Sequence, residues 1–454
     1  MIIEPILKNP IAVCFFVLVL FEYMSQNLSK GNKTILGWCF YDFANQPFTT
    51  IVVTFIYSAY FAKGIVGDEA IGQIYWGNAV TVCAIIIAIL SPVMGAIADQ
   101  GGYRKSFLIF WSWVCIIFSI LLFFPKLGDI YSALILFSIA NIAFEMGSVF
   151  CNAYVPSIST KENAGKISGY GYAFGYLGGL LALGFGLIAI ALPEQPMFGL
   201  SIEDGENFRG MNILVAIWFT LFSIPTFLWL KKDKRKKKVN FNLIRDSFTQ
   251  IKTTFRDIKE IKNTIRFLVA RLFYNDALIT IFSFGGIIAA GVYGFNLEEI
   301  LVFGIVLNIA AGLGAFSMGF VDDRIGPKKT ILISNFLLII ATIMVTFIDS
   351  ELAFWIAGIM VGFASGPNQS ASRSLMARFS PKDKQNEFFG FFAFSGKITA
   401  FLGPFLLAQT TYISLEYFGL DSAVAQRAGI SVVLLLLIVG TIILLPINEN
   451  ERVD

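Results

Sequence analysis

The sequence predicts an all-α membrane protein of twelve transmembrane helices in two pseudo-symmetric six-helix bundles. Three observations carry that expectation. The chain of 454 residues is 56% apolar and only 14% charged, with a mean hydropathy of +0.72, where a soluble domain carries about 25% charge. Its apolar residues come in runs of helix length, the roughly 20 residues that cross a bilayer. One short polar turn occurs twice: Gly95 to Lys105 reads Gly-Ala-Ile-Ala-Asp-Gln-Gly-Gly-Tyr-Arg-Lys, and Gly319 to Lys329 reads Gly-Phe-Val-Asp-Asp-Arg-Ile-Gly-Pro-Lys-Lys. Gly95, Asp99, Gly102, Arg104 and Lys105 each have a counterpart 224 residues later, at Gly319, Asp323, Gly326, Lys328 and Lys329. Both copies sit between two long apolar runs, so the chain reads as a tandem duplication.

The chemistry of that turn is specific. The first glycine lets a neighbouring backbone approach, and the aspartate caps the N-terminus of an adjacent helix or pairs with a base. The second glycine permits a tight reversal, and the basic pair holds the turn on the cytoplasmic side. The pattern resembles the signature loop between helices 2 and 3, and again 8 and 9, of the major facilitator superfamily.

In chain order, an apolar run of about 14 residues at 11–24 is too short to span and is expected to lie on or partly in the membrane, within an N-terminal extension at 1–34. Spans are expected at about 35–62, 75–98, 106–125, 130–156, 168–192 and 211–230, forming an N-terminal half at 35–230. In helix 5, Gly171, Gly175 and Gly179 make a close-packing face. A hydrophilic linker at 231–262 follows, with 12 basic and 4 acidic side chains, a net of +8 (12 − 4). Behind its basic cluster, Ile244, Phe248, Ile251, Phe255, Ile258, Ile261 and Ile265 form the apolar stripe of an amphipathic helix lying along the membrane face. The C-terminal half at 263–454 holds spans at about 264–292, 299–321, 329–348, 352–378, 387–412 and 428–446. Basic residues gather at 104–105, 161–166, 231–262, 328–329 and 378–384, while the opposite loops are acidic, which places both termini in the cytoplasm. The expected location is the inner membrane of a bacterium.

Charges inside the spans carry the functional argument, because an ionised group at the bilayer centre is costly unless paired or wet. These are Asp42 in helix 1, Glu145 in helix 4, Asp276 in helix 7, Arg373 in helix 10 and Lys397 in helix 11. Arg271 and Arg378 stand near enough to helix ends to snorkel and are set aside. On helix 1, Asp42 shares a face with Trp38, Asn45 and Thr49, and Pro47 disturbs the helix one turn on. On helix 10, Gly366-Pro367 loosens the backbone before Asn368, Gln369 and Arg373. Cross-pairing of these charges as structural salt bridges, Glu145 with Arg373 for instance, is the competing account.

Several stretches resemble a narrower family, the vacuolar effluxer-like branch of the major facilitators: Gly37 to Phe48, Phe150 to Pro156, Ser168 to Gly179, Gln369 to Ser374, and 387–404 with its Glu-Phe-Phe-Gly-Phe-Phe, Gly-Lys and Gly-Pro. Helix 5 is also similar to the glycine-rich antiporter segment, with Tyr176 in place of its proline. The resemblance implies that helices 1, 4, 7 and 10 line a central cavity, where Asp42, Glu145, Asp276 and Arg373 fall, and that the cargo is a small polar or zwitterionic solute, an amino acid above all. The ammonium would meet Asp42 or Glu145 and the carboxylate Arg373 or Lys397, with Asn45, Asn152 and Gln369 supplying hydrogen bonds, and Asn275 beside Asp276 is counted among the substrate-binding or proton-coupling residues. If a proton couples to transport, Asp42 or Glu145 would carry it. A sugar or lipophilic-cation carrier on the same fold, or a non-transporting sensor or scaffold, are the alternatives. No cofactor, metal or nucleic acid is expected: histidine is absent, the five cysteines form no CxxC pair, and no nucleophile, base and orienting group occur together. The protein is expected to be a monomer and not an enzyme.

Overall fold

The computed structural model describes residues 29–234, 262–295 and 297–449, together with 246, 249, 253 and 254. The apolar run at 11–24 and most of the basic linker with its amphipathic stripe lie outside the described residues. What is described is nearly all helix. In chain order the long helices are α1 Gly31–Val66, α2 Glu69–Gly101, α3 Arg104–Leu121, α4 Ile130–Ile158, α5 Ala164–Ala191, α6 Glu206–Trp229, α7 Lys262–Tyr293, α8 Leu297–Ile325, α9 Pro327–Phe347, α10 Glu351–Phe379, α11 Gln385–Glu416 and α12 Ser422–Leu444. Eleven are long and apolar enough to cross a membrane. The other, α10, has 29 residues but runs through Gly366-Pro367-Asn368-Gln369-Ser370, which makes it the most polar of the set.

Several ends and breaks differ from the sequence reading. α1 and α2 are longer at both ends than their apolar cores, because helix continues past the apolar region wherever nothing breaks it. Pro47 does mark a change: α1 passes from α-helix to a π-helical stretch at Phe48–Phe55 and again at Phe61–Val66, consistent with a proline that cannot donate to the preceding turn. Pro367, by contrast, leaves α10 helical throughout. α11 is broken where the sequence reading made it continuous: Gln385–Lys397 and Leu402–Glu416 are separate helical segments. Pro404 has no N–H to give to the carbonyl of residue 400, so the second segment must start afresh.

The chain divides into two compact units, one made of 1–77, 112–144 and 177–232, the other of 78–111, 145–176 and 233–454. In the first unit α1 packs on α6 with small residues at the crossing. A Cβ at Gly37 would meet the Pro225 carbonyl oxygen at 3.0 Å, Thr226 Oγ1 donates to Gly37 O at 2.6 Å, and Trp218 Nε1 donates to Phe43 O at 3.2 Å. A Cβ at Gly178 of α5 would collide with the Phe43 carbonyl. The close approaches of α5 thus fall at Gly165 and Gly169 as well as at Gly178 and Gly179.

In the second unit α8 and α10 cross at equally short range, since side chains at Gly314, Gly362 or Gly366 would strike the facing backbone at Phe363, Leu307 or Ala311. A chain of amides and hydroxyls ties α9, α10 and α12 together: Asn368 Nδ2 donates to Asn335 Oδ1 at 2.7 Å, and Asn335 Nδ2 to Thr441 Oγ1 at 3.0 Å. Such paired groups specify one register inside an apolar bundle.

Candidate functional site

The two repeated turns set helix ends within the second unit. Gly102 (φ 72°) and Gly326 (φ 93°) take the left-handed backbone that the tight reversal needs. Asp99, in the last turn of α2, caps α11: its Oδ1 accepts from Asn386 N at 3.2 Å and Asn386 Nδ2 at 2.6 Å, and its Oδ2 from Glu387 N at 2.8 Å. An anion at a helix N-terminus satisfies orphan amides and complements the dipole. Gly95, one turn earlier, has no side chain because a Cβ would collide with Asn386 O.

The second copy repeats the device. Asp323 Oδ1 accepts from Gly165 N at 2.8 Å and Lys166 N at 3.2 Å at the start of α5, and a Cβ at Gly319 would meet Gly165 O at 3.0 Å.

The basic residues of the two turns diverge. Arg104 turns inward as a buried hub, donating from Nη1 to Ala153 O (2.8 Å) and Gln385 Oε1 (3.0 Å) and from Nη2 to Asp233 Oδ1 (2.7 Å), with its guanidinium 3.9 Å from the Tyr154 ring centre. Lys105 is half-buried. Lys328 donates its backbone N–H to Glu449 Oε2 at 3.0 Å, whose carboxylate fills the space left by Gly326, and Lys329 is exposed.

Of the charges within the spans, Asp42 belongs to the first unit and Glu145, Asp276, Arg373 and Lys397 to the second. Lys397, at the end of the first segment of α11, pairs with Glu145 of α4, Nζ to Oε1 2.6 Å, with side-chain exposures of 30% and 20%. Beside it Asn275 of α7 donates from Nδ2 to Gly396 O at 3.3 Å and accepts from Gln369 Nε2 of α10 at 2.9 Å. Polar groups of α4, α7, α10 and α11 therefore converge, and the ion pair among them is only partly covered.

Arg373 does not join that pair. It is 2% exposed, donates from Nε to Ser168 Oγ (2.9 Å), from Nη2 to Ser168 O (2.7 Å) and from Nη1 to Asn152 Oδ1 (3.0 Å), and lies over the Tyr172 ring at 4.2 Å. Its fork is spent on holding α10 to α4 and α5.

Asp276 is 1% exposed: Oδ2 accepts the Gly403 N–H at 2.8 Å, and Oδ1 has no hydrogen-bond partner among the described residues. Asp42 and Asn45 belong to the first unit, Asp42 half-buried and Asn45 buried on α1, next to Tyr41, whose hydroxyl pairs with Ser112 Oγ at 3.0 Å.

Three residues matter more than the sequence reading allowed. Arg271, set aside as a snorkelling end residue, is buried and donates from Nη1 to Phe392 O (2.7 Å) and Ser395 Oγ (3.0 Å), over the Phe392 ring at 3.7 Å. α7 extends to Lys262, so Arg271 lies more than two turns inside it. Asp322 accepts from Ser374 Oγ at 2.5 Å beside Asp323, and the doubled aspartate of the second turn was the available signal. Ser168 stood within a quoted stretch but carried no sign that it would seat an arginine. Among the described residues, no group of three or more His, Cys, Asp or Glu could hold a metal ion.

The human organic anion transporter MFSD10 (TETRAN) superposes with a TM-score of 0.67 at 12% identity, covering 91% of this chain and 98% of that one. The fold is the major facilitator fold, and the protein is a membrane transporter of that type. An uncharacterized MFS-type transporter of Bacillus subtilis, YxiO, is 24% identical over 431 residues, 94% of this chain and 97% of the relative. Autophagy-related protein 22 of Vanderwaltozyma polyspora is 20% identical, over 85% of this chain and 87% of its own. Residues 77–453 match the family model described as "Vacuole effluxer Atg22 like", and the chain belongs to that family.

Proposed function

We propose that this protein is a secondary transporter that moves a small zwitterionic solute, an amino acid, by alternating access of its two halves, 35–230 and 263–454. The observation that carries the reading is the Lys397–Glu145 pair: opposite charges 2.6 Å apart, within otherwise apolar spans and only partly covered. An opposite-charge pair inside apolar spans marks a polar pathway unless it is purely structural, and side-chain exposures of 30% and 20% leave both groups open to a solute. An amino acid entering there replaces each partner, its carboxylate meeting Lys397 and its ammonium Glu145, so neither protein charge is left alone. Asn275, which donates to the Gly396 carbonyl next to Lys397, and Gln369, which donates to Asn275, are the further groups assigned to the solute. Arg373 is a strut of the site rather than a ligand. The basic turns support an orientation with both termini in the cytoplasm, and the proposed location is a bacterial inner membrane.

The test is counterflow in proteoliposomes with a tritiated amino-acid mixture. Wild type exchanges label, and Glu145→Gln and Lys397→Met each lower the rate at least about tenfold, the loss expected from stranding one charge of the pair. Undiminished exchange in both variants would remove the pair from the solute's path. Exchange of sugars or lipophilic cations in place of amino acids would replace the solute class.

A further inference from the structure

The break in α11 is braced by α7 from both sides. Before the break, the Arg271 guanidinium reaches Phe392 O and Ser395 Oγ, Asn275 reaches Gly396 O, and a Cβ at Gly396 would stand 2.7 Å from Arg271 Nη1. After it, the Asp276 carboxylate holds the Gly403 N–H, the second residue of the new helical segment. A cation thus faces the carbonyl end of one half-helix and an acid the amide end of the next, each complementing its dipole. Lys397, the last residue before the break, is the one paired with Glu145.

Asp276 is poorly served as a permanent cap. Its Oδ1 has no partner among the described residues, and Thr280 and Leu436 close in around Gly403. Several charged and titratable groups of the neighbouring elements are engaged elsewhere. On α7, Arg271 is turned to α11 and Tyr274 to Ser372. On α10, Arg373 is held by Ser168 and Asn152, and on α11 Lys397 is held by Glu145. On α12, Arg427 pairs with Asp349. On α8, Asp322 is held by Ser374, Asp323 caps α5, and Glu299 and Arg324 are exposed. A cap is strongest when ionised, whereas a buried carboxylate with an idle oxygen is costly when ionised. The two demands conflict in this conformation, and a change of conformation that brings a partner to Oδ1 resolves them.

We propose that Asp276 is a proton-dependent latch on the α11 break. Ionised, it holds the second half-helix through the Gly403 amide; on taking up a proton it loosens that hold, and the break changes the angle at which Lys397 meets Glu145. Asp276 is therefore a positioning residue, one helical segment away from the solute. Only the link to Lys397 rests on the transport reading; the latch itself needs no solute.

The test is hydrogen–deuterium exchange of the full-length protein in nanodiscs, read on peptides covering 398–405 at a series of pH values and corrected for intrinsic exchange. Wild type loses protection by about tenfold on acidification, the size of one lost cap, while Asp276→Asn is flat and Asp276→Glu keeps a step. A wild type without the step, or an Asn variant that retains it, overturns the latch. If the Asn variant does not fold, the Glu variant decides, since an unchanged midpoint there overturns the assignment. Amino-acid counterflow on the same preparations separates the two readings: absent exchange in wild type removes the solute and leaves the latch standing.

Discussion

Removing the Asp99 carboxylate is the sharpest test of how the repeated turn works. Asp99 takes three donors at the start of α11, at 3.2, 2.6 and 2.8 Å, two of them buried backbone amides that have no intrahelical acceptor. Charge-assisted bonds of this kind contribute roughly 1.5 kcal/mol or more each, and they are not additive because they share one cap. Asp99→Ala is therefore expected to destabilise the protein by about 3 kcal/mol. Asp99→Asn keeps one acceptor and is expected to cost about 1 kcal/mol. Asp323→Ala, which loses two amide bonds at a half-buried position, should fall between them at about 1–2 kcal/mol. Thermal unfolding in detergent, followed by thiol-reactive dye at the buried cysteines Cys39, Cys83, Cys115 and Cys151, reads the order directly. The capping argument is refuted if Asp99→Ala is indistinguishable from wild type, or if Asn costs as much as Ala.

Two further stability predictions use the same assay. Gly95→Ala forces a Cβ into the Asn386 carbonyl and is expected to cost about 1–3 kcal/mol, whereas Gly184→Ala on α5, with nothing within 4 Å, should be neutral or slightly stabilising; equal effects would deny the close approach. Arg373→Lys keeps the charge but loses the fork on Ser168 and Asn152 and the stack on Tyr172, so a loss of about 2–3 kcal/mol is expected. A lysine variant as stable as wild type, with unaltered counterflow, would mean that the guanidinium geometry is irrelevant.

What could be read without coordinates was whatever depends on composition and period. Apolar runs of bilayer length require helices, because lipid offers no partner to a bare amide. The repeat at one offset announced the two capped turns, down to the glycines that go left-handed at 102 and 326. The charges of the spans were equally visible, since a charge in an apolar run stands out whatever it touches. Their partners were not visible. Glu145 meets Lys397 rather than Arg373, Arg104 is a buried hub rather than a surface anchor, and Arg271 is interior, because each outcome depends on which helix faces which and at what height. The break in α11 was half announced by Gly396, Gly403 and Pro404, yet a glycine and a proline only permit a break. What makes it stable is α7, which supplies Arg271 and Asp276 to the two freed helix ends, and that pairing of residues more than a hundred positions apart exists only once the chain is packed.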